Sequence, residues 1–197
     1  MKNWSASVVL ALAAGLAAPT GPAHSAEEDL LATCRSDGEQ IETRLAACNR
    51  LVDDSARSAE ERAEALSLRA QIRESQGDSE RAIADLDAAI ELSPGDASLL
   101  IHRGNLRAAR GEIARAITDY DEAARLNPGD AAVYYNRGNA YDQEGKHRQA
   151  IADYNEAIRI EPKYAEAYNN RGLAYHHAGE FASALADFER ALALSPD

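Results

Sequence analysis

The chain repeats with a period of 34 residues, and this period constrains the fold more than any other feature of the sequence. Prolines and glycines recur at this spacing: Pro94, Pro128, Pro162 and Pro196, with Gly77, Gly111, Gly145 and Gly179. A fixed repeat of this kind indicates one supersecondary unit that is copied and stacked, because a single unit cannot bury its apolar face alone. We therefore expect a stack that offers a surface for binding rather than a deep catalytic cleft.

The third copy of the repeat predicts two helices joined by a tight turn. We expect the first helix to run from about Ala132 to Glu144, because Gly145 can adopt the left-handed conformation that closes a helix. The second helix is expected to begin near Arg148 and to end before Pro162, which cannot continue a helix. Its apolar residues mostly recur at helical spacing, which predicts a buried stripe.

Six spaced positions of this copy carry a recognisable pattern: Tyr134, Gly138, Tyr141, Ala150, Tyr154 and Pro162. The last copy repeats the pattern with Tyr168, Gly172, Tyr175, Ala184, Phe188 and Pro196. The pattern resembles that of the tetratricopeptide repeat (TPR) family. The resemblance implies an all-α fold, a right-handed superhelical solenoid of antiparallel helix pairs. Its four repeats would span about 63–96, 97–130, 131–164 and 165–197, and the first is the most divergent.

An arginine on the first helix and an aspartate on the second recur in every copy. The pairs, always 16 residues apart, are Arg69 and Asp85, Arg103 and Asp119, Arg137 and Asp153, and Arg171 and Asp187. We expect each to form an ion pair between the two helices of its repeat. The alternative is an arginine ladder for anionic ligands, but a ladder would not need so regular an acidic partner. Partly exposed pairs of this kind are usually worth about 0 to 1 kcal/mol each.

Residues 1–26 have the pattern of a secretory signal peptide. The apolar run Val8–Ala18 follows a short polar start, and small residues allow cleavage after Ser25, with cleavage after Ala23 or Ala26 as alternatives. The run is shorter than the ~20 residues needed to span a bilayer, so we expect removal rather than stable membrane anchoring. The mature protein is therefore expected to be exported, either to a periplasm or out of the cell.

Cys34 and Cys48 are the only cysteines in the chain. An even count in an oxidising compartment favours a disulfide between them, with two buried free thiols as the alternative. Their spacing is not that of a Cys-x-x-Cys motif, and no histidine cluster lies nearby in the sequence. We therefore predict neither a metal site nor redox catalysis here, and no cofactor.

The segment 27–58 predicts a helical cap for the amino-terminal end of the stack. Its cysteine-containing helix has the apolar spacing of a divergent second helix of a repeat, and residues 53–57 would form a linker. Ser58 and Glu61 have the spacing of a capping box that opens the next helix. The repeat domain is thus expected to cover 59–197.

The predicted last helix, residues 181–194, carries an apolar strip. Its large members are Phe181, Leu185, Phe188 and Leu192. Members of the family commonly carry a further solvating helix after the last repeat, and this sequence reaches Asp197 without one. We expect the strip either to tolerate water or to meet a partner or a second copy of the chain.

The resemblance implies that the first helix of each repeat lines a concave, ligand-binding face. The candidate contact residues are Ile101, His102, Asn105, Tyr135, Asn136, Asn139, Asn169, Asn170 and Leu173. Several asparagines match positions that hold a peptide backbone in family members, but the cationic residues that hold peptide carboxylates are missing. An extended peptide held by amide contacts and tyrosine packing is therefore expected rather than an acidic carboxyl terminus. Solvated asparagines without a ligand are the alternative.

The charge balance of 21 basic and 33 acidic residues disfavours two classes of partner. Nucleic acid and anionic membrane surfaces both require a basic patch, and the sequence has no basic stripe. A neutral or basic protein partner would be attracted instead.

Catalysis is not predicted, because the sequence contains no phosphate-binding loop, nucleophile elbow or His-Glu-x-x-His motif. His176 and His177 are adjacent on a helix and point about 100 degrees apart, which is poor geometry for sharing a metal. The sequence therefore predicts a non-catalytic interaction module. The alternative is a structural, self-associating scaffold of an envelope complex that uses the last helix.

Overall fold

The computed structural model describes residues 30–195, and all regular secondary structure in this range is helical. A helical stretch at 30–35 precedes the following helices: α1 (Ile41–Asp53), α2 (Ala59–Ser75), α3 (Ser79–Leu92), α4 (Ala97–Ala109), α5 (Ile113–Leu126), α6 (Ala131–Gln143), α7 (His147–Ile160), α8 (Ala165–His177) and α9 (Phe181–Leu194). The predicted signal peptide, 1–26, lies outside the described residues.

The helices pack in sequence order as a solenoid. The four repeats are the pairs α2/α3, α4/α5, α6/α7 and α8/α9, and the second helix of each pair also packs against the first helix of the next. The predicted ends of α6 and α7 lie within one residue of the observed ones. Gly145 has a φ of 72°, so it closes α6 in the left-handed conformation that the sequence predicted. The predicted all-α solenoid is confirmed.

The two helices of a repeat approach most closely where glycine faces an aromatic ring. A Cβ atom added to Gly138 would lie 2.7 Å from Tyr154 Cε1, and one added to Gly104 would lie 2.6 Å from Tyr120 Cε1. Both tyrosines are almost completely buried. A larger side chain at Gly138 would therefore push the ring of Tyr154 away from α6.

All four predicted arginine–aspartate pairs are present. The closest N–O distances are 2.6 Å for Arg69 with Asp85, 2.6 Å for Arg103 with Asp119, 2.7 Å for Arg137 with Asp153 and 2.7 Å for Arg171 with Asp187. One expectation was wrong, because the aspartates are buried rather than partly exposed. The carboxylates have left water and depend on their arginines for compensation. Removing one partner should therefore cost more than the sequence indicated.

Each of these arginines also contacts the helix that precedes its own repeat. Arg103 donates from Nη2 to Asp119 on α5 at 2.6 Å and from Nη1 to Asp87 on α3 at 2.7 Å. The corresponding acceptors for Arg69, Arg137 and Arg171 are Asn49, Asp121 and Asn155. One guanidinium thus joins three helices and links neighbouring repeats.

The amino-terminal segment packs against the first helix of the first repeat. Cys34 Sγ and Cys48 Sγ lie 2.02 Å apart, which is disulfide bonding distance, and both cysteines are fully buried. Helix α1 packs against α2. The capping box is confirmed, because Ser58 Oγ accepts from the Glu61 amide and the Glu61 carboxylate accepts from the Ser58 amide. Within residues 30–195, no helix is both long and apolar enough to cross a membrane.

Substituting the buried and the exposed partner of the same arginine should have different effects on stability. Asp119→Asn leaves Arg103 and Arg107, which both bond to this carboxylate, without their buried countercharge. We expect the free energy of unfolding to fall by about 3 kcal/mol, as for other broken buried pairs. Asp87→Asn is the matched control, because its side chain is 48% exposed and that of Asp119 only 2%.

The Asp87→Asn change should cost less than about 1 kcal/mol, as is usual for exposed pairs. Urea denaturation followed by circular dichroism measures both values. Equal losses in the two variants would contradict the importance of the buried carboxylate.

Alkaline pH should destabilise the fold through its buried tyrosines. Burial raises the pKa of Tyr120 and of Tyr154 well above the ordinary value of about 10. Above pH 10 the unfolded chain loses these protons while the folded chain retains them, so the free energy of unfolding falls as pH rises. Below pH 10 their contribution is constant.

For each of the two tyrosines the expected slope is about 0.7 kcal/mol per pH unit at pH 10 and approaches about 1.4 kcal/mol per pH unit above it. Chemical denaturation between pH 9 and pH 11, values chosen to bracket the ordinary pKa of about 10, measures it. Tyr154→Phe should reduce the slope of the free energy of unfolding against pH by the contribution of one tyrosine. An unchanged slope in this variant would show that another group is responsible.

Candidate partner-binding surface

The predicted contact residues of α4 line one shallow groove. Ile101, His102 and Asn105 form its wall opposite Ser67 and Gln71 of α2, and the groove has a volume of about 360 Å³. His102 lines this groove, and its Nε2 lies 2.7 Å from Glu74 Oε2. The groove is open, and most of the side chains that line it carry a polar group on an apolar stem.

A second groove lies between α6 and α8. It has a volume of about 270 Å³, and its lining includes Asn139, Asn170 and Leu173 together with Asp142. Asn139 Oδ1 accepts hydrogen bonds from Tyr154 Oη at 2.7 Å and from Asn170 Nδ2 at 2.9 Å. Its carbonyl oxygen is thus already used within the protein and positions both neighbours.

Asn105 makes the same internal contact one repeat earlier. Its Oδ1 accepts from Tyr120 Oη at 2.7 Å. Asn136, the remaining predicted asparagine of α6, lines neither of these grooves nor the larger one described next. The asparagines therefore do not form one continuous row of ligand-binding amides.

A third groove lies at the carboxy-terminal end of the stack, and we name it the C-terminal groove. Its volume is about 560 Å³, and its lining consists of Tyr135, Ala165, Glu166, Asn169, Asn170, Phe188, Ala191, Leu192 and Ser195. Residues of the predicted concave face thus meet residues of the predicted apolar strip. From the sequence, the concave face and the apolar strip were expected to be two separate surfaces.

Tyr135 forms a preorganised aromatic wall of the C-terminal groove. Its ring centroid lies 4.9 Å from that of Tyr164 and 6.1 Å from that of Tyr154. Its hydroxyl accepts a hydrogen bond from Asn170 Nδ2 at 3.0 Å. Burial, followed by the neighbouring Tyr135, raises the pKa of Tyr164 to about 12, so the Tyr164 ring that supports this wall is uncharged at neutral pH.

The apolar strip of α9 divides between two surfaces. Phe188 is half-buried against Gly172, and Leu192, 64% exposed, lies beside it in the C-terminal groove. Phe181 and Leu185 are 64% and 61% exposed and lie outside that groove. Helical spacing alone placed all four on one strip and could not show which of them adjoin the preceding repeat.

Three possible metal ligands meet at the turn between α6 and α7. Asp142, His147 and His177 each present one ligand atom, and these atoms lie within 4.8 Å of one another. The imidazole rings of His147 and His177 have centroids 4.9 Å apart. Sequence spacing indicated only the adjacent pair His176 and His177 and gave no role to His147. The available signal was His177, which ends the first helix of its repeat and therefore lies near the turn of the preceding repeat.

Comparison with family models places most of the chain in one family. A model described as TPR repeat matches residues 104–145 and 138–179, and models described as tetratricopeptide repeat match 165–197 and 45–97. Together these matches cover more than half of the chain. No curated protein matches the chain by sequence.

Many solved structures share the fold. A crystal structure of MamA protein is 26% identical, covers 87% of this chain and 91% of its own, and has a TM-score of 0.76. MamA from Desulfovibrio magneticus RS-1 (41-end) is 18% identical, with coverages of 89% and 97% and a TM-score of 0.75. YrrB, described as a TPR protein with an unusual peptide-binding site, is 18% identical, with coverages of 80% and 79% and a TM-score of 0.68. With its 34-residue period, its paired helices and these matches, the chain belongs to the tetratricopeptide repeat family.

Proposed function

We propose that this protein is a non-catalytic interaction module that binds an extended segment of a protein partner in the C-terminal groove. The observation that carries the proposal is the composition of this groove. Asn169 offers its amide to a peptide backbone and is positioned by a hydrogen bond to Asn170 Oδ1, while Phe188 and Leu192 offer apolar contact to a side chain. The volume of about 560 Å³ falls within the range of roughly 300–1,000 Å³ that is usual for ligand sites.

The charge of the chain favours a neutral or basic partner. The formal net charge is −12, and Glu166 lines the groove itself. An acidic surface accelerates association with a basic segment and repels an acidic one. We therefore propose a segment that carries a large apolar side chain with a lysine or arginine close to it.

Family membership supports the class of function, and the groove supports the location. YrrB is described as having an unusual peptide-binding site, but at 18% identity its similarity bears on the fold alone. The proposal for this chain therefore rests on its own side chains rather than on those of a relative.

A self-associating scaffold is the second candidate function. Phe181 and Leu185 are large, exposed and outside the C-terminal groove, and they lie one helical turn apart on α9. Neighbouring apolar side chains of this kind often mark contacts between proteins. A second copy of the chain could cover them without occupying the groove.

Two leucines on α9 provide a matched pair of variants that separates these functions. Leu192 lies in the groove and Leu185 outside it, and both are about equally exposed, at 64% and 61%. Neither substitution by Glu should much affect stability, since surface changes usually stay within about 0.5 kcal/mol. A photocrosslinking residue at Asn169 identifies the partner in the native compartment, and titration calorimetry then measures its affinity.

We expect Leu192→Glu to weaken binding of that partner at least about tenfold, because the apolar burial of one leucine is lost. Leu185→Glu should bind as the wild type does. Sedimentation across a range of protein concentrations tests the second function, for which Leu185→Glu should reduce self-association. Partner binding that survives Leu192→Glu unchanged would contradict the proposed groove.

We propose that the protein acts after export, with the signal peptide removed by cleavage between Ser25 and Ala26. A disulfide between Cys34 and Cys48 supports this, because disulfides persist in oxidising compartments. Intact mass spectrometry of the native protein should give the mass of a chain that begins at Ala26. A mature protein that retains the apolar run Val8–Ala18 would contradict cleavage.

A further inference from the structure

The turn between α6 and α7 brings together three side chains from three helices. Asp142 lies in the last turn of α6, His147 is the first residue of α7, and His177 is the last residue of α8. Asp142 Oδ1 lies 2.7 Å from His147 Nδ1 and 3.7 Å from His177 Nδ1. One carboxylate oxygen thus faces two imidazole nitrogens, one from its own repeat and one from the next.

Two imidazoles and one carboxylate form a ligand set that suits Zn²⁺. Catalytic zinc sites commonly have three such protein ligands and an open fourth position. With bonds of about 2.0–2.2 Å, ligand atoms in a tetrahedral site lie about 3.3–3.5 Å apart. The two observed distances, 2.7 Å and 3.7 Å, lie on either side of this value. The ligand atoms of His147 and His177 lie within 4.8 Å of each other, so rotation of these side chains would be needed to bring all three atoms to this spacing.

The surroundings leave the three ligands accessible. All three are partly exposed, so small side-chain movements are not blocked by core packing. The nearest lysine in sequence, Lys146, is paired with Glu144 at 2.7 Å. His176 packs edge-on against Phe181, with ring centroids 5.4 Å apart, rather than completing the cluster.

The repeat itself does not require these residues. The equivalent positions 34 residues earlier hold Ala108, Ile113 and Gln143. The turn of that repeat is of the same kind and has no set of metal ligands at these positions. A hydrogen bond from His147 to Asp142 would stabilise the turn on its own. This hydrogen bond would not account for the imidazole of His177, from the next repeat, which lies near the same Asp142 oxygen.

We propose that Asp142, His147 and His177 bind one Zn²⁺ ion that links the third repeat to the fourth. Two ligands come from the third repeat and one from the fourth, so the bound ion would restrain α8 relative to α6 and α7. This site is independent of the proposed partner binding, and its test does not require a partner.

The test uses the mature chain without an affinity tag, stripped of metal by a chelator and titrated with zinc chloride in a calorimeter. We expect saturable binding of one ion per chain. His147→Ala and His177→Ala should each weaken binding at least about tenfold, because each removes a ligand. His176→Ala is the matched control, because His176 contacts Phe181 rather than the three proposed ligands. This variant should bind zinc as the wild type does.

Thermal unfolding and hydrogen exchange provide readouts of the link between repeats. A hundredfold excess of zinc over its Kd should raise the Tm of the wild type by about 5 to 10 °C. It should also slow amide exchange in the α6–α7 turn and at the end of α8. His177→Ala should show neither effect.

Two results would overturn the proposal. One is the absence of saturable zinc binding by the wild type. The other is binding that persists at full affinity in both His147→Ala and His177→Ala, which would place the ion elsewhere.

Discussion

The spacing between repeats depends on one arginine per copy and the buried carboxylate that it neutralises. A carboxylate removed from water is costly unless it is paired and hydrogen-bonded, so Asp119 requires a guanidinium in a defined place. The planar guanidinium has five donors, which allows Arg103 to bond to Asp119 and to Asp87 at once. A lysine could not provide this fork. Because the two acceptors lie on helices of different repeats, one interaction sets both the pairing of helices and the distance to the next pair.

The same closeness of helices determines which concave side chains are polar. Tyr120 and Tyr154 pack on glycine and reach the concave side, where their hydroxyls donate to Asn105 and Asn139. In the last repeat the tyrosine position holds Phe188, which has no hydroxyl, and the asparagine position holds Leu173 instead. A polar pair has been replaced by an apolar one. The surface formed by these positions therefore becomes more apolar toward the carboxy-terminal end of the stack, where the C-terminal groove lies.

Local spacing predicted the features that depend on one repeat. Glycine and proline positions gave the ends of α6 and α7, and the 16-residue spacing gave the pair Arg103 and Asp119. Features that depend on the angle between repeats were missed, because no local pattern fixes that angle. They include the bond from Arg103 to Asp87, the burial of Asp119 and the approach of His177 to the preceding turn.

The two proposed sites lie at opposite ends of α8, and this placement determines how they could influence one another. Glu166 and Asn169 contribute to the groove near the start of the helix, whereas His177 ends it. At a rise of about 1.5 Å per residue, Glu166 and His177 are about 16 Å apart along the helix axis. An ion at His177 would therefore not touch a segment bound in the groove. It would act on that segment only by fixing the orientation of α8 against α6, which carries Tyr135 on the facing wall. Any such effect would be reciprocal, because a partner that favours the same orientation must strengthen zinc binding by the same factor.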